Sequence, residues 1–263
     1  MKIGRAIGVL AAIAVTAWRA TGKRRTRPAS PGKTLPNLIA DQKRIWSYPL
    51  KAARDGVPTP ALLVIGTTAA LFALDPVLAP WLRDAVLNET PFFRRFNEVL
   101  SGRNMARAIN AVPLSFYAGG ALCGSSYGSQ TGLLAGEAAA NAEILAIAMK
   151  YADRRMRPTE AGLNGDFTHT WFRTKNRAID GPGCFPSGHT AAAFAMATVF
   201  ADRYQGHRWA PGLAFGLAGM VGLSRITTRS HFPSDVFFGA ALGYSIGHFV
   251  ILPRSRATLR GFR

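Results

Sequence analysis

The sequence predicts an all-α chain: a bundle of six helices that cross a membrane, preceded by a basic N-terminal tail. Three observations carry this expectation. Six apolar segments recur along the chain, at about 59–74, 109–126, 131–149, 188–203, 209–223 and 236–252. Most are rich in Ala and Gly, the residues through which membrane helices approach one another closely. Charge is also sorted along the chain. Residues 1–55 hold 12 Lys or Arg, and the end from Pro253 holds Arg254, Arg256, Arg260 and Arg263, whereas the connection GSSYGSQ (124–130) holds none.

Composition bounds this reading without deciding it. Hydrophobic residues make up 48% of the 263, ordinary for a globular chain, so a soluble helical bundle stands beside the membrane one. Lys and Arg outnumber Asp and Glu 32 to 14, a net charge of +18. Such an excess points to anionic partners: nucleic acid, an acidic membrane surface or phosphorylated substrates. The positive-inside rule accounts for the basic tail without nucleic-acid recognition. The two cysteines, Cys123 and Cys184, form no CxxC and no Cys/His cluster, so no structural metal is expected.

Taken in order, residues 1–22 have a basic start and a short apolar run from Ile7 to Ala17, which reads as a signal-peptide core or an interfacial anchor. Residues 19–55 are basic and contain proline, the composition of a mobile tail or surface linker. The six apolar segments follow, and the third carries Glu137, Asn141 and Glu143, which are costly in lipid and must face the bundle interior. Two cytoplasmic basic ends require an even number of crossings, which six satisfies. The connections 75–108, 150–187 and 224–235 then share the extracytoplasmic side. The expected division is a basic tail over 1–55, a helical domain over 56–253 and a basic end over 254–263.

Three stretches carry chemistry. In KYADRRMRP, Lys150 and Arg157 are seven residues apart, two helical turns, and share nearly one face. In PSGH, Ser187 is a good N-cap residue. The N–H groups of Gly188 and His189 would open a helix whose dipole favours an anion, and His189 adds a titratable group suited to general-acid work. In SRITTRSHFPSD, Arg225 is a phosphate ligand by type, and His231 and Asp235 are one helical turn apart. A carboxylate bonded to one ring nitrogen leaves the other available to attack. The sequence thus offers three cations, a helix N-terminus and two histidines, the set that phosphoryl transfer through a phosphohistidine requires. Each stretch alone also reads as an ordinary helix end.

Together they resemble the type 2 phosphatidic acid phosphatase (PAP2) superfamily, whose pattern is K-x6-RP, PSGH and SR-x5-H-x3-D. Eleven residues between Lys150 and Asp235 match it in order and spacing. The resemblance implies a six-helix bundle of the PAP2 and acid-phosphatase type. It implies His231 as nucleophile, Asp235 as its orienting partner and His189 as proton donor, later activating water. Lys150, Arg157, Ser187, Gly188 and Arg225 would bind the phosphate. No metal or other cofactor is implied. The implied protein is a multi-pass enzyme of the inner membrane acting on a lipid phosphate or diphosphate, with its site on the extracytoplasmic side. Soluble relatives, secreted acid phosphatases and vanadium haloperoxidases, are the alternative. A binding protein using the basic tail is a third reading, which the complete motif set disfavours.

Overall fold

A computed structural model describes residues 31–84, 90–100, 102–161, 166–174 and 182–255. Among these residues the chain is helical, without a strand. The helices are α1 (Thr34–Asp55), α2 (Thr59–Asp84), α3 (Pro91–Val99), α4 (Gly102–Leu122), α5 (Ser126–Asp153), α6 (Gly188–Arg203), α7 (Trp209–Thr227) and α8 (Pro233–Ser245). A π-helical turn, Ile246–Ile251, carries α8 on to Ser255. Each of the six apolar segments lies on a helix of its own, α2 and α4 to α8. The Ile7–Ala17 run lies outside the described residues.

Among the described residues, three helices are long and apolar enough to cross a membrane: Thr59–Leu82, Ser126–Asp153 and Pro233–Ser255. The first of these leaves Leu63, Ile65, Val77 and Trp81 between 55% and 67% exposed, a continuous apolar surface that water does not tolerate well. By contrast α5 is central. Its Ala135, Ala138 and Ala142 are fully buried against Ala191, Ala192 and Val199 of α6.

Small residues set the helix spacing. Gly239, Gly243 and Gly247 recur every four residues and so share one face of α8 and its continuation. A methyl group at Gly243 would stand 2.0 Å from the Ala191 carbonyl oxygen, and one at Gly239 would stand 2.7 Å from that of Ser187. The stripe therefore lets α8 lie backbone to backbone on α6. That contact brings the start of α8 against Ser187, whose N–H donates to the Asp235 carbonyl at 3.0 Å.

The linker expectation for 19–55 does not hold for residues 34–55, which form α1. Its exposed face carries Leu35, Ile39 and Trp46, while Asp41 is only 3% exposed. Asn37 Nδ2 donates to Glu137 Oε1 at 3.0 Å, and Gln42 Nε2 donates to Asn141 Oδ1 at 2.9 Å. Arg254, beyond the π turn, pairs with both Asp41 and Glu137. Glu137 and Asn141 thus face α1 and the chain's end. A basic amphipathic stretch reads as a tail until its polar partners 100 residues away are known.

Gly243→Ala is expected to cost about 1–3 kcal/mol, because backbone cannot yield to the added methyl. Gly119→Ala, with open space around it, should be neutral or mildly stabilising. Thermal unfolding in detergent compares the two.

Candidate active site

The site forms where α5, α6 and α7 end or begin. Lys150, 3% exposed, sits in the last turn of α5. A methyl group at Gly188 would stand 3.6 Å from its Nζ, so the ammonium lies beside the first turn of α6. Just after Lys150 the helix stops at Arg154, which adopts a left-handed conformation (φ 47°) and donates its N–H to the Lys150 carbonyl at 3.0 Å. Gly183 packs under this end, where a methyl would meet Asp153 Oδ1 at 2.8 Å.

Ser187 is the N-cap residue of α6, as its sequence position suggests, but its hydroxyl does not cap a backbone amide. It pairs with the Thr190 hydroxyl at 2.8 Å instead. The first amides of a helix have no carbonyl one turn earlier, which leaves this helix start suited to an anion.

Arg157, His189, Arg225 and His231 line one cavity of about 650 Å³. Arg225 is held from behind: its Nε donates to Ser224 Oγ at 3.1 Å, and its guanidinium also bonds the Leu100 carbonyl beyond α3. The Arg225 carbonyl in turn accepts the N–H of Ser230 at 3.0 Å and of His231 at 3.2 Å, which fixes the turn that presents the histidine.

His231 is 4% exposed, and its Nδ1 lies 3.5 Å from Asp235 Oδ2. That is longer than a made N–H···O bond of about 2.9 Å. The carboxylate nonetheless faces Nδ1, so Nε2 is the ring nitrogen left for the cavity. Burial is the main cause that pushes the His231 pKa down to about 4, Asp235 opposing it and the nearby Lys150 and Arg157 charges reinforcing it. The ring is therefore neutral near pH 7.

Behind Asp235 lies a network absent from the sequence expectations. Arg155, 2% exposed, donates to Asp235 Oδ1 at 2.5 Å, to Asp75 Oδ2 at 2.7 Å and to Ser234 Oγ at 2.8 Å. Its Nε donates to Thr170 Oγ1 at 3.2 Å, and its guanidinium carbon lies over the rings of Phe232 and Trp171, 4.1 Å and 4.9 Å from their centres. Burial works against this charge, but the Asp235 and Asp75 carboxylates outweigh it and raise the Arg155 pKa. Asp235 Oδ2 also accepts the Phe232 N–H at 2.8 Å. One signal for Asp75 existed in the sequence: an acid inside an otherwise apolar helix needs a partner.

Where it is described, the connection after α5 sends an aromatic foot into the core. Phe167 packs on Phe232, and Trp171 on Phe72 and Phe185. His169 pairs with exposed Asp166. Residues 175–177 lie outside the described residues. Cys184 is buried, donates to the Met156 carbonyl at 3.2 Å and has its thiol pKa raised by burial, as expected of a filler rather than a nucleophile. Its sulfur also lies within 4.8 Å of ligand atoms of His231 and Asp235. The Arg155 guanidinium already engages that carboxylate, so the trio fits a cation poorly.

Residues 131–258 match the PAP2 superfamily. The match is to a PAP2 superfamily domain within the chain. The matched stretch holds every residue named above for the cavity and the histidine–aspartate pair, but not Asp75. The lipid A 1-phosphatase of Porphyromonas gingivalis is 44% identical over 64 residues, 24% of this chain. The chain spans 14% of the length of that curated relative. No solved structure matches the chain.

Arg155→Met should cost about 3–5 kcal/mol in unfolding free energy, because it strands two buried carboxylates. The lowered His231 pKa predicts a pH effect. Between about 4 and the ordinary 6.5 the unfolded chain binds the proton that the native site refuses. Stability is complete above that window and falls as pH drops through it. The dependence should be shallower in His231→Asn, read from denaturant unfolding across pH 4–7.

Proposed function

We propose that this chain is an integral membrane phosphatase that hydrolyses a lipid phosphate or diphosphate through a phosphohistidine intermediate, without a metal. One observation carries the reading: two cations and two histidines, drawn from three separate stretches of sequence, converge on one cavity at a helix start.

The steps follow from the chemistry of these groups. Arg157, Arg225, Lys150 and the first turn of α6 at Ser187 and Gly188 hold the phosphoryl oxygens and neutralise their charge. Neutral His231 attacks phosphorus through Nε2. The P–O bond to the leaving group breaks, and His189 gives that oxygen its proton. Asp235 stabilises the imidazolium character that develops on His231. His189, now neutral, takes a proton from water. The hydroxyl attacks phosphorus, the P–N bond breaks and inorganic phosphate leaves. The low pKa of His231 suits the first step, since only the neutral ring is nucleophilic.

Six spans, through α2 and α4 to α8 within a domain over 56–253, extend the three long apolar helices. The exposed apolar face of α2 favours this over a soluble acid phosphatase or haloperoxidase. The basic stretches 1–55 and 254–263 of the sequence support, through the positive-inside rule, an inner-membrane orientation with the site extracytoplasmic. The relative named for lipid A 1-phosphate supports a lipid substrate.

Purified protein is expected to release phosphate from a lipid phosphate in EDTA, and His231→Ala to lower kcat by about 10³ or more. Wild-type turnover in His231→Ala would sink the mechanism. Alkaline carbonate should leave the protein in the membrane pellet; extraction into the supernatant would rule out the spans.

A further inference from the structure

The short helix α3 is built as an amphipathic element with both ends fixed. The Thr90 side chain caps its start by accepting the Phe93 N–H at 3.4 Å, and Pro91 opens its first turn. Asn104 holds its end by donating to the Glu98 and Val99 carbonyls at 3.1 and 3.2 Å. Phe92, Phe96 and Val99 stand at i, i+4 and i+7 and share one face. Phe92 is 68% exposed and Val99 58%. The ring centres of Phe92, Phe93 and Phe96 lie within 6.3 Å of one another, so the aromatic residues form one patch. Around the other side come Arg94, Glu98 and Arg95, all exposed.

A third side of α3 grips the end of α7. Asn97 Nδ2 donates to the Thr227 carbonyl at 3.4 Å, and the Thr227 hydroxyl donates to Asn97 Oδ1. Three residues on, the Leu100 carbonyl accepts from the Arg225 guanidinium, and Arg225 lines the cavity. The helix also begins seven residues after α2 ends at Asp84, and the apolar surface of α2 reaches Trp81, 60% exposed. So α3 lies at the level where α2 and α7 both end. An apolar strip of Phe and Val, backed by two arginines, is the composition of a helix that lies in a membrane interface. Its guanidinium groups match lipid phosphates in charge and in hydrogen-bond geometry.

Resting on the phosphatase reading above, we propose that α3 lies in the headgroup layer of the bilayer beside the cavity, and that this seat positions the phosphate ligand Arg225. Phe92, Phe96 and Val99 enter the acyl boundary, and Arg94 and Arg95 meet lipid phosphates. Asn97 is a positioning residue. It fastens α3 to Thr227 and so holds the Leu100 carbonyl against the Arg225 side chain. The membrane thereby supports the site from outside the bundle.

Two measurements on the full chain in phospholipid nanodiscs test the two halves. For the seat, a fluorophore is attached at Phe92→Cys or at Arg95→Cys, each combined with Cys123→Ser because Cys123 is exposed. Nitroxide on the lipid acyl chains should quench the label at position 92 several-fold more than at 95, and iodide in water should show the reverse order. Iodide reaching position 92 as readily as 95 overturns the seat. Shielding of position 92 from both quenchers overturns it too, because protein would then cover the face. For the coupling, kcat/KM is measured on a short-chain, monomeric lipid phosphate. Asn97→Ala should lower it about tenfold, while Asn97→Asp, which keeps the acceptor for the Thr227 hydroxyl, should recover most of the loss. Wild-type kcat/KM in Asn97→Ala, or equal losses in both variants, overturns the coupling and leaves the phosphatase reading standing. Absence of turnover in the wild type overturns that reading and the coupling with it, while the labels still decide the seat.

Discussion

The site depends on one buried cation. Arg155 lies between Asp75 of α2 and Asp235 of α8, with hydroxyls of Ser234 and Thr170 and the faces of Phe232 and Trp171 around it. Taken singly, each charge would be costly to bury; paired and hydrogen-bonded, they hold one another in place. The consequence reaches the chemistry through one intermediate. Asp235 has an oxygen committed to Arg155, so its other oxygen is aimed at the Phe232 amide and the His231 ring. The orientation of the proposed nucleophile is thus set from the far side of its partner. The same guanidinium ties the start of α8 to α2 and to the connection after α5, so the pocket wall and the pocket floor share a fastening.

A second constraint is closeness of backbone. The glycine stripe of α8 puts Asp235 and Ser187 in direct main-chain contact. Bulkier residues there would separate the histidine of one motif from the helix start of another. Lys150 reaches that same start from α5. The geometry of the cavity is therefore a result of helix packing, with side chains adding the last few ångströms.

What could be read from the sequence divides along physical lines. His231 with Asp235, Lys150 with Arg157, and the helix start at Ser187 are local patterns, each within two turns, and their spacing is visible in one dimension. The six apolar segments were legible because burial in lipid or core demands long apolar runs. Arg155 was hidden in a run of basic residues, where nothing marks the one that turns inward. Its carboxylate partners lie 80 residues away on either side, a distance no local pattern spans. Asp75 is hidden for a related reason: an acid reads as the end of an apolar segment, whereas the helix runs on because the charge is paired. The docking of α1 was hidden in the same way. Glu143 reads as a polar residue needing shelter, but no local pattern says that its shelter is the cavity.

The clamp formed by Asp41, Glu137 and Arg254 joins three places in the chain, with Arg254 lying 213 residues after Asp41 and 117 after Glu137. It has a consequence in time. A ribosome delivers Asp41 well before Arg254. Until the final helix has entered the bundle, the two carboxylates on α1 and α5 meet without the cation that reconciles them. The seating of α1 on α5 is therefore complete only once Arg254 has arrived.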